Sequence, residues 1–450
     1  MKKSQLIEGQ IEEVIFPNRG RLTFEDEPVY IPGTFKDQII KAQIIKRKKG
    51  NWEGRLLEVI KNPPHFISPV CPYFGSCGGC SSQEVPYVNQ IELKHEQVRK
   101  LLHKAGIENY EDLGILPSPE KFHYRNKMEF SFGDAIKDGP MTLGMHRKHS
   151  SYDILTVDGC KLVEEDYSLI LRTVLDYCIS KGLPYYHKTS HQGFLRYLII
   201  RQSKSFNEII INLVTTTQMV HDWGELIEQL KALPLHNRLV GVLNTLSNTL
   251  ADAVKPEKVI LLEGKDTFME KLLGLCFQVS PFSFFQTNTR GAEVLYKNAL
   301  DLIDNLNDKI VFDLYCGTGT ISQIMATKAQ KVYGIELVEE AVEKAKENAA
   351  LNDLTNCQFI AGDVLNQVDK LSAKPDIIVL DPPREGIHPK AIQKIIDFGA
   401  KELLYISCKP TSLTRDLPIL KEAGYHVDKV LCVDMFPQTV HVETVVKLSR

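Results

Sequence analysis

The pattern that most restricts what this chain can fold into is an alternation of short apolar runs and helix-forming segments from about residue 285 onward. Runs of this length are typical of buried strands. Strands that alternate with helices favour a parallel sheet, because parallel neighbours need a crossover connection. The alternation therefore predicts a doubly wound α/β domain at the C-terminal end of the chain. Its expected strands are 310–314, 331–335, 377–380 and 402–406, and its expected helices are 320–329 and 338–351.

Two further domains are predicted ahead of it. Residues 1–62 carry β-rich runs separated by Pro- and Gly-containing turns, which is typical of a small β-barrel. The consecutive prolines Pro63 and Pro64 are poorly compatible with a continuing strand or helix, so we place a boundary there. Residues 63–283 predict a mixed α+β domain with a helix at 89–105, and residues 284–450 form the α/β domain.

Composition narrows the class of protein. The 450 residues are 43% hydrophobic and 25% charged, which is ordinary for a globular protein. The formal net charge of −3 argues against a strongly basic nucleic-acid binder, although residues 1–62 and 121–150 are locally basic. No run is long and apolar enough for a membrane span or a secretory leader, so we expect a cytoplasmic protein with reduced cysteines.

A glycine-rich loop marks the first predicted C-terminal strand. The run 311–320 is an apolar strand that ends in Cys316-Gly317-Thr318-Gly319 and opens a helix, without the Gly-Lys-Ser/Thr ending of a P-loop. Glu336 ends the next strand, and Asp363 follows the one after it. A glycine-rich loop and two acids at these points predict an S-adenosylmethionine (SAM) site. The alternative is a simple glycine turn beside two surface acids.

Two polar segments follow the later strands, at the sheet edge where α/β proteins place their chemistry. They are Asp381-Pro382-Pro383-Arg384 and Ser407-Cys408-Lys409-Pro410. Cys408 is a candidate nucleophile, and its neighbour Lys409 is expected to favour the reactive thiolate. A lone cysteine at a strand end is, however, more often a buried structural thiol.

The motifs in combination resemble those of the RNA uracil-5-methyltransferases: Asp-Leu-Tyr-Cys-Gly-x-Gly at 313–319, Asp-Pro-Pro-Arg at 381–384, Ser-Cys-x-Pro at 407–410 and Glu-Thr-Val at 443–445. The resemblance implies SAM-dependent methylation of uridine C5, in which Cys408 adds to C6 and Glu443 removes the C5 proton. It also implies that Gln286 in the 284–288 segment contacts SAM. The full predicted cofactor set is Gln286, Tyr315, Gly317, Glu336, Asp363 and Asp381, of which Asp381 is alternatively placed on the uracil edge.

A cysteine cluster is unexplained by this chemistry. Cys71, Cys77 and Cys80 have Cys-x5-Cys-x2-Cys spacing, and Cys160 in a Gly-containing turn is the expected fourth ligand. Four thiolates suit either zinc or a [4Fe-4S] cluster, and the spacing alone does not separate the two. The resemblance favours the [4Fe-4S] cluster, with a structural role.

RNA contacts are predicted in the first two domains. The N-terminal barrel resembles the TRAM module, an RNA-binding barrel, and the basic run at 46–49 is expected to follow phosphates or to be a solvated turn. Basic and aromatic residues also mix at 124–127 and 193–201, as contacts to RNA backbone and bases require. The predicted RNA-binding residues there are Arg125, Asn126, Lys127 and Arg196. The target uridine is expected to be flipped out to reach Cys408.

The predicted function is methylation of uridine C5 in 23S ribosomal RNA, because the resemblance associates a cluster and a leading barrel with that substrate. The same chemistry on the T-loop of transfer RNA is the first alternative. Cytosine-5 methylation also uses a cysteine nucleophile, but its motif surroundings differ. A noncatalytic RNA-binding or assembly protein is the alternative outside enzymes. A monomer is expected.

Overall fold

The computed structural model describes residues 1–48, 50–367 and 373–450. Within them the strands form three large sheets and one hairpin. No helix in the described part of the chain is long and apolar enough to cross a membrane.

The N-terminal sheet has six strands in the order β1-β5-β6-β4-β3-β2. Side chains of β5 alternate between buried and half-buried over its first six residues, so one face of the sheet encloses the core. That core is aliphatic and includes Ile11, Val29, Ile31 and Ile40, each fully buried. The strands are β1 (Leu6–Gln10), β2 (Glu13–Ile15), β3 (Arg19–Phe24), β4 (Glu27–Pro32), β5 (Ile39–Lys48) and β6 (Asn51–Lys61).

Two residues of the basic run at 46–49, on this sheet, form ion pairs. Lys46 forms an ion pair with Glu53, and Arg47 pairs with Glu27 and stacks over the Trp52 ring. Lys49, the last residue of the predicted phosphate-binding run, lies outside the described residues.

The central sheet has seven strands in the order β10-β9-β8-β11-β12-β13-β14. All eight residues of both β11 and β12 are buried, so these middle strands are covered on both faces. Two helices, α2 (Glu165–Ser180) and α3 (Gly224–Lys231), pack on one side. The strands are β8 (Lys127–Asp134), β9 (Met141–His146), β10 (Ile154–Thr156), β11 (Leu195–Gln202), β12 (Glu208–Thr215), β13 (Arg238–Leu246) and β14 (Lys258–Gly264).

The third sheet has eight strands in the order β19-β18-β17-β20-β21-β23-β22-β7. The five strands from β19 to β21 are parallel, and β23 runs antiparallel to both its neighbours. Apolar cores cover both faces. The strands are β7 (Glu111–Leu116), β17 (Ile310–Leu314), β18 (Lys331–Glu336), β19 (Cys357–Ala361), β20 (Ile377–Leu380), β21 (Glu402–Ser407), β22 (His426–Val433) and β23 (Glu443–Ser449).

Helices join and cover these strands as the α/β pattern predicts, so the multidomain α/β architecture with a β-rich N-terminal region is confirmed. Two of these helices begin at residues that favour a helix start. The Asn288 side chain caps the first turn of α4, and Pro410 is the first residue of α9. The helices are α4 (Thr289–Asp301), α5 (Thr320–Ala326), α6 (Glu339–Leu351), α7 (Val364–Gln367), α8 (Pro389–Asp397) and α9 (Pro410–Glu422), and the hairpin is β15 (Phe268–Leu272) with β16 (Leu275–Val279).

One part of the predicted 63–283 domain belongs elsewhere. Helix α1 (Tyr87–Lys104) contacts α9, and β7 pairs in parallel with β22 at the edge of the C-terminal sheet. The segment carries apolar residues such as Val98 and Leu102 that are buried in the C-terminal core. Residues 63–283 are therefore not one continuous unit, because a strand early in the chain extends a sheet formed mainly by its last 140 or so residues.

Candidate active site

The carboxyl ends of five neighbouring parallel strands open into one cavity of about 870 Å³. Such edges collect functional groups from segments that are distant in sequence. All eight predicted catalytic and cofactor residues line this cavity: Gln286, Tyr315, Gly317, Glu336, Asp363, Asp381, Cys408 and Glu443. Its volume lies in the range of small-molecule and cofactor sites.

The glycine-rich loop brings backbone to the cavity wall. Tyr315, Gly317 and Gly319 have φ of 76°, 54° and 75°, in the left-handed region. A Cβ at Gly319 would lie 2.7 Å from the Phe359 ring and 2.9 Å from Ala345, so this position has no room for a side chain. At Gly317 a Cβ would face open space apart from Phe284 at 3.8 Å, so here the backbone conformation, and not the room, favours glycine.

Glu336 is held by the backbone on both sides. Its Oε2 accepts a hydrogen bond from the Gly317 amide at 3.1 Å, and its Oε1 accepts one from the Val338 amide at 3.0 Å. These contacts fix the carboxylate at the cavity wall while each oxygen retains a further lone pair for a ligand. A carboxylate presented in this way can accept hydrogen bonds from ribose hydroxyls.

Residues of the 280–288 segment also line the cavity, and the segment is held by two groups of contacts. The Thr318 hydroxyl donates to the Phe284 carbonyl at 3.0 Å, which joins the segment to the glycine-rich loop. The buried Arg201 guanidinium donates to the carbonyls of Ser280 and Ser283. Gln286 therefore lies on a braced segment, although it belongs to a loop.

Asn126 braces the same segment. Its amide Nδ2 donates to the Gln286 carbonyl at 2.9 Å and to the Thr289 hydroxyl at 2.8 Å, and its backbone amide donates to the Thr287 carbonyl. With only 2% of its surface exposed, Asn126 is unavailable to RNA. The predicted RNA contact is therefore corrected to a structural role, because its donors are used inside the protein.

The register of β21 and β23 brings Cys408 next to Glu443. Ser407, the last residue of β21, pairs with Thr444, and Glu443 is the first residue of β23. The next position along each strand is Cys408 on one side and Glu443 on the other. Both side chains line the cavity, and Glu443 is 4% exposed.

Burial and neighbouring negative charges raise the pKa values of Glu443, Asp381 and Cys408. Burial, followed by the nearby Asp381, raises the pKa of Glu443 to about 8, while Arg384 opposes the shift. Burial with Asp313 raises the pKa of Asp381 to about 7. Burial, Glu443 and Asp381 raise the pKa of Cys408 to about 11.

The expectation that Lys409 favours a thiolate is therefore wrong for the protein without ligands. Lys409 is exposed, and the cation that lowers the Cys408 pKa is instead Arg384. At neutral pH Cys408 is a thiol beside carboxyl groups that can exchange a proton with it or with a substrate. Deprotonation thus depends on what enters the cavity.

Other side chains of the cavity were missed by sequence reasoning. Arg384 and Phe436 line it, and so does the buried Tyr296 of α4. Arg384 stands inside the quoted Asp-Pro-Pro-Arg motif, which was the available signal. Tyr296 and Phe436 carried no signal, because their sequence neighbourhood is that of ordinary core aromatics.

The four predicted cysteine ligands line a second, smaller cavity, beside the core of the central sheet. Cys71, Cys77, Cys80 and Cys160 face it together with apolar side chains. Burial raises the pKa of Cys80 to about 12 and that of Cys160 to about 11, and the other thiols add to both shifts. Within the described residues, no group of three or more His, Cys, Asp or Glu side chains could hold a metal ion as it stands.

The remaining predicted RNA-binding residues differ in their surroundings. Arg196 is 4% exposed and its guanidinium donates to the carbonyls of Ser247, Thr249 and Ala251, so direct RNA contact is corrected to an internal brace. Arg125 lies over the Phe436 ring at 5.9 Å, beside the large cavity. Lys127 is half-buried and pairs with Glu129.

Comparisons with known proteins agree with this geometry. A family described as tRNA (Uracil-5-)-methyltransferase matches residues 86–450. An uncharacterised RNA methyltransferase of Clostridium acetobutylicum is 48% identical over 450 residues, covering 100% of this chain and 99% of the relative. Another, of Caldanaerobacter subterraneus subsp. tengcongensis, is 45% identical over the full length of both chains.

A solved structure shares the fold. The Pyrococcus abyssi tRNA (uracil-54, C5)-methyltransferase in complex with S-adenosyl-L-homocysteine superposes with a TM-score of 0.78, covering 98% of this chain and 100% of that one. The identity is 24%, so the likeness concerns the fold alone.

Proposed function

This chain belongs to the RNA uracil-5-methyltransferase family, and we propose that it transfers a methyl group from SAM to C5 of a uridine through a covalent Cys408 adduct. SAM-dependent RNA methylation is the activity of the family. The roles of individual residues, the [4Fe-4S] cluster and the RNA substrate are our proposals.

The single observation that carries the residue roles is the pairing of Cys408 with Glu443 in the cavity that also holds the predicted cofactor residues. C5 of uracil is too weak a nucleophile to take a methyl group unaided. Addition of a thiolate to C6 moves electron density toward C5 and solves this problem. A nucleophile and a base side by side are what the reaction then requires.

The residues around the cavity have separable tasks. SAM, when bound, supplies an electrophilic methyl group on a sulfonium. Glu336, Asp363 and the Gly317 backbone would hold the nucleoside part of the cofactor, and Gln286 and Tyr315 would orient the rest. Asp381, whose raised pKa of about 7 allows it to be protonated or ionised, can hydrogen-bond the uracil edge in either form.

Proton movements balance through Cys408 and Glu443. Cys408 gives its proton to water and its sulfur bonds to C6, which leaves C5 electron-rich. C5 would then take the methyl group as its bond to the sulfonium sulfur breaks, which would leave a neutral thioether. Glu443 takes the C5 proton, the C5=C6 double bond reforms, and the C6–S bond breaks to release Cys408 as a thiolate. Glu443 must be ionised before this last step, and a pKa of about 8 makes it a stronger base than an exposed glutamate.

We propose a [4Fe-4S] cluster at Cys71, Cys77, Cys80 and Cys160. The four thiols face one cavity that is otherwise lined mainly by apolar side chains, which supports a shared site for their thiolates. Four thiolates suit either zinc or a [4Fe-4S] cluster, and the family resemblance favours the cluster.

We propose 23S ribosomal RNA as the substrate, from the TRAM-like barrel ahead of the cysteine segment. Transfer RNA is the second candidate, favoured by the description of the matching family and by the substrate in the name of the Pyrococcus abyssi enzyme. The chemistry at Cys408 is the same for both.

The test uses purified protein, labelled methyl-SAM and total RNA from a strain that lacks this gene, followed by mass spectrometry of the labelled nucleoside. We expect 5-methyluridine in 23S RNA with the wild type and none with Cys408→Ala. Label confined to transfer RNA would change the substrate only. A labelled nucleoside other than 5-methyluridine would overturn the proposed function.

A further inference from the structure

The loop at 434–442 reaches Glu443 from one side of the active site. It connects β22 to β23, and the residue that follows it is Glu443, the proposed base. Its Phe436 lines the cavity. Most of its residues are buried, and Gln438 adopts a left-handed φ of 68° at 3% exposure. A buried loop of this kind keeps its shape only through contacts with its surroundings.

Those contacts come from distant parts of the chain. The Asn288 amide donates to the Met435 carbonyl at 2.8 Å, and the Tyr124 hydroxyl donates to the Pro437 carbonyl at 3.0 Å. Lys94, buried on α1, donates to Asp434 Oδ1 at 2.6 Å and to the Phe436 carbonyl at 3.2 Å.

Gln90, one helical turn before Lys94, joins the loop to the segment behind the cysteines. Its Nε2 donates to the Gln438 Oε1 at 2.9 Å, and its Oε1 accepts from the Gln438 amide at 3.1 Å. On the other side the same Nε2 lies 2.9 and 2.8 Å from the carbonyl oxygens of Ser82 and Val85, so its two hydrogens are shared among three acceptors. The Ser82 hydroxyl also donates to Gln90 Oε1 at 3.2 Å.

Nothing in the chemistry of methyl transfer uses Gln90, and only 3% of its surface is exposed. Burying an amide side chain costs free energy unless its polar groups are paired by hydrogen bonds. Here the amide pairs with two segments at once, and the Ser81 amide next to Cys80 adds a hydrogen bond to the Gln438 carbonyl at 2.9 Å.

We propose that Gln90 is a positioning residue for proton removal: by tying Gln438 to Ser82 and Val85, it fixes the loop that sets the place of Glu443. The inference rests on the proposed function of Glu443. Displacing a base by about 1 Å can cost up to about 100-fold in rate. The step affected is removal of the C5 proton, after the Cys408–C6 bond has formed.

The test compares Gln90→Met with Gln97→Met. Both glutamines lie on α1 with 3% exposure, but Gln97 contacts the N-terminal sheet, where it donates to the Val14 carbonyl. Methionine keeps the length of the side chain and removes its hydrogen bonds. Single-turnover methylation of RNA is measured together with the fraction of protein that stays covalently bound to RNA on a denaturing gel.

For Gln90→Met we expect product formation about 10-fold slower, a severalfold larger covalent fraction and an unchanged KM for SAM. Hydrogen exchange at 434–443 should be faster than in Gln97→Met, which we expect to behave as the wild type. Wild-type product formation by Gln90→Met, or slower formation without adduct, would overturn the proposal.

A milder variant covers the case in which Gln90→Met does not fold. Ser82→Ala removes one hydrogen bond to Gln90 and leaves the others, so a smaller rise in the covalent fraction is expected. No rise in a folded Ser82→Ala protein with bound SAM would contradict the proposal. If the wild-type protein itself makes no 5-methyluridine, the proposed function fails, and this inference fails with it for a distinguishable reason.

Discussion

The large cavity and the cysteine cavity both contain half-buried thiols whose pKa is raised mainly by burial, but the groups around those thiols differ. Cys408 faces Glu443, Asp381 and the guanidinium of Arg384. In the small cavity the thiols face mainly apolar groups and one another, and its described lining includes no carboxylate. Burial alone therefore does not distinguish a reactive thiol from one suited to hold a cluster.

The neighbours make that distinction. Beside Cys408 a carboxylate can take a proton and a cation can stabilise developing negative charge, so the thiol can enter and leave a covalent bond. Four thiols that repel one another when ionised need positive charge from outside before they ionise together. The first arrangement suits turnover, and the second suits permanent occupation.

The largest effect is expected from removing Cys408, the proposed nucleophile. We expect Cys408→Ala to lower methylation by more than about 10⁴-fold, because Cys316, the other thiol among the described residues that line this cavity, lies in the glycine-rich loop near Glu336. Cys316→Ala, which changes another thiol of the same cavity, should retain most activity. Initial rates of 5-methyluridine formation measure both. Equal losses would show that the two thiols are not distinct in function.

Removing Glu443, the proposed base, should leave the addition of Cys408 and the methyl transfer intact. Glu443→Gln is expected to slow the formation of 5-methyluridine from the adduct by about 10²- to 10⁴-fold, since the C5 proton has no acceptor. The Cys408–RNA adduct should therefore accumulate. The adduct is counted on denaturing gels with labelled RNA. Loss of both product and adduct would instead place Glu443 in an earlier step.

The cysteine cavity should respond to a different measurement. We expect Cys80→Ala to lose bound iron and several degrees of melting temperature, while its affinity for SAM stays within about twofold. Cys178→Ala is the matched control, because Cys178 is a buried thiol outside both cavities. Iron and zinc are measured by elemental analysis of protein purified without oxygen. One zinc per chain would contradict the cluster.

Glu336 tests the cofactor side of the large cavity. Glu336→Ala is expected to raise the KM for SAM about tenfold with little change in kcat, because a charged hydrogen bond to the ribose is lost. Glu339→Ala, an exposed acid at the start of α6, is the control. A fall in kcat at saturating SAM would mean that Glu336 also orients the methyl group.

The smallest effect concerns the pKa of Cys408. Burial raises this pKa, and the negative charge of Glu443 adds to the shift, so Glu443→Gln should lower the pKa and speed alkylation by iodoacetamide about threefold at pH 9. Arg384 lowers the pKa, so Arg384→Met should slow alkylation. In each protein the rate should rise with pH until the thiol is ionised. Opposite signs would contradict the charge arrangement around Cys408.

The sequence predicted the C-terminal strands closely because their signals are local. Residues 310–314 and 377–380 match β17 and β20 to the residue, and every residue chosen at the strand ends lines one cavity. Parallel strands bring their carboxyl ends to one edge whatever the length of the connections. Motif positions could therefore be converted into a site without knowledge of the packing.

Predictions that depended on exposure failed where packing decides. Asn126 and Arg196 stand in basic, aromatic segments, yet both are buried and donate to backbone carbonyls. A polar residue in a strand looks the same in sequence whether it faces RNA or another segment. The joining of β7 to β22 was missed for the same reason, since nothing local signals a partner so far along the chain.

Because β7 pairs with β22, this edge of the sheet can form only after almost the whole chain has been synthesised. Roughly 310 residues separate the two strands, so at about 5 to 20 residues per second β7 leaves the ribosome some 15 to 60 s before its partner exists. In that interval α1 and β7 have no sheet to join, and the apolar side of α1 is uncovered. A chain cut before residue 426 would keep this edge open permanently and, with it, a surface prone to aggregation.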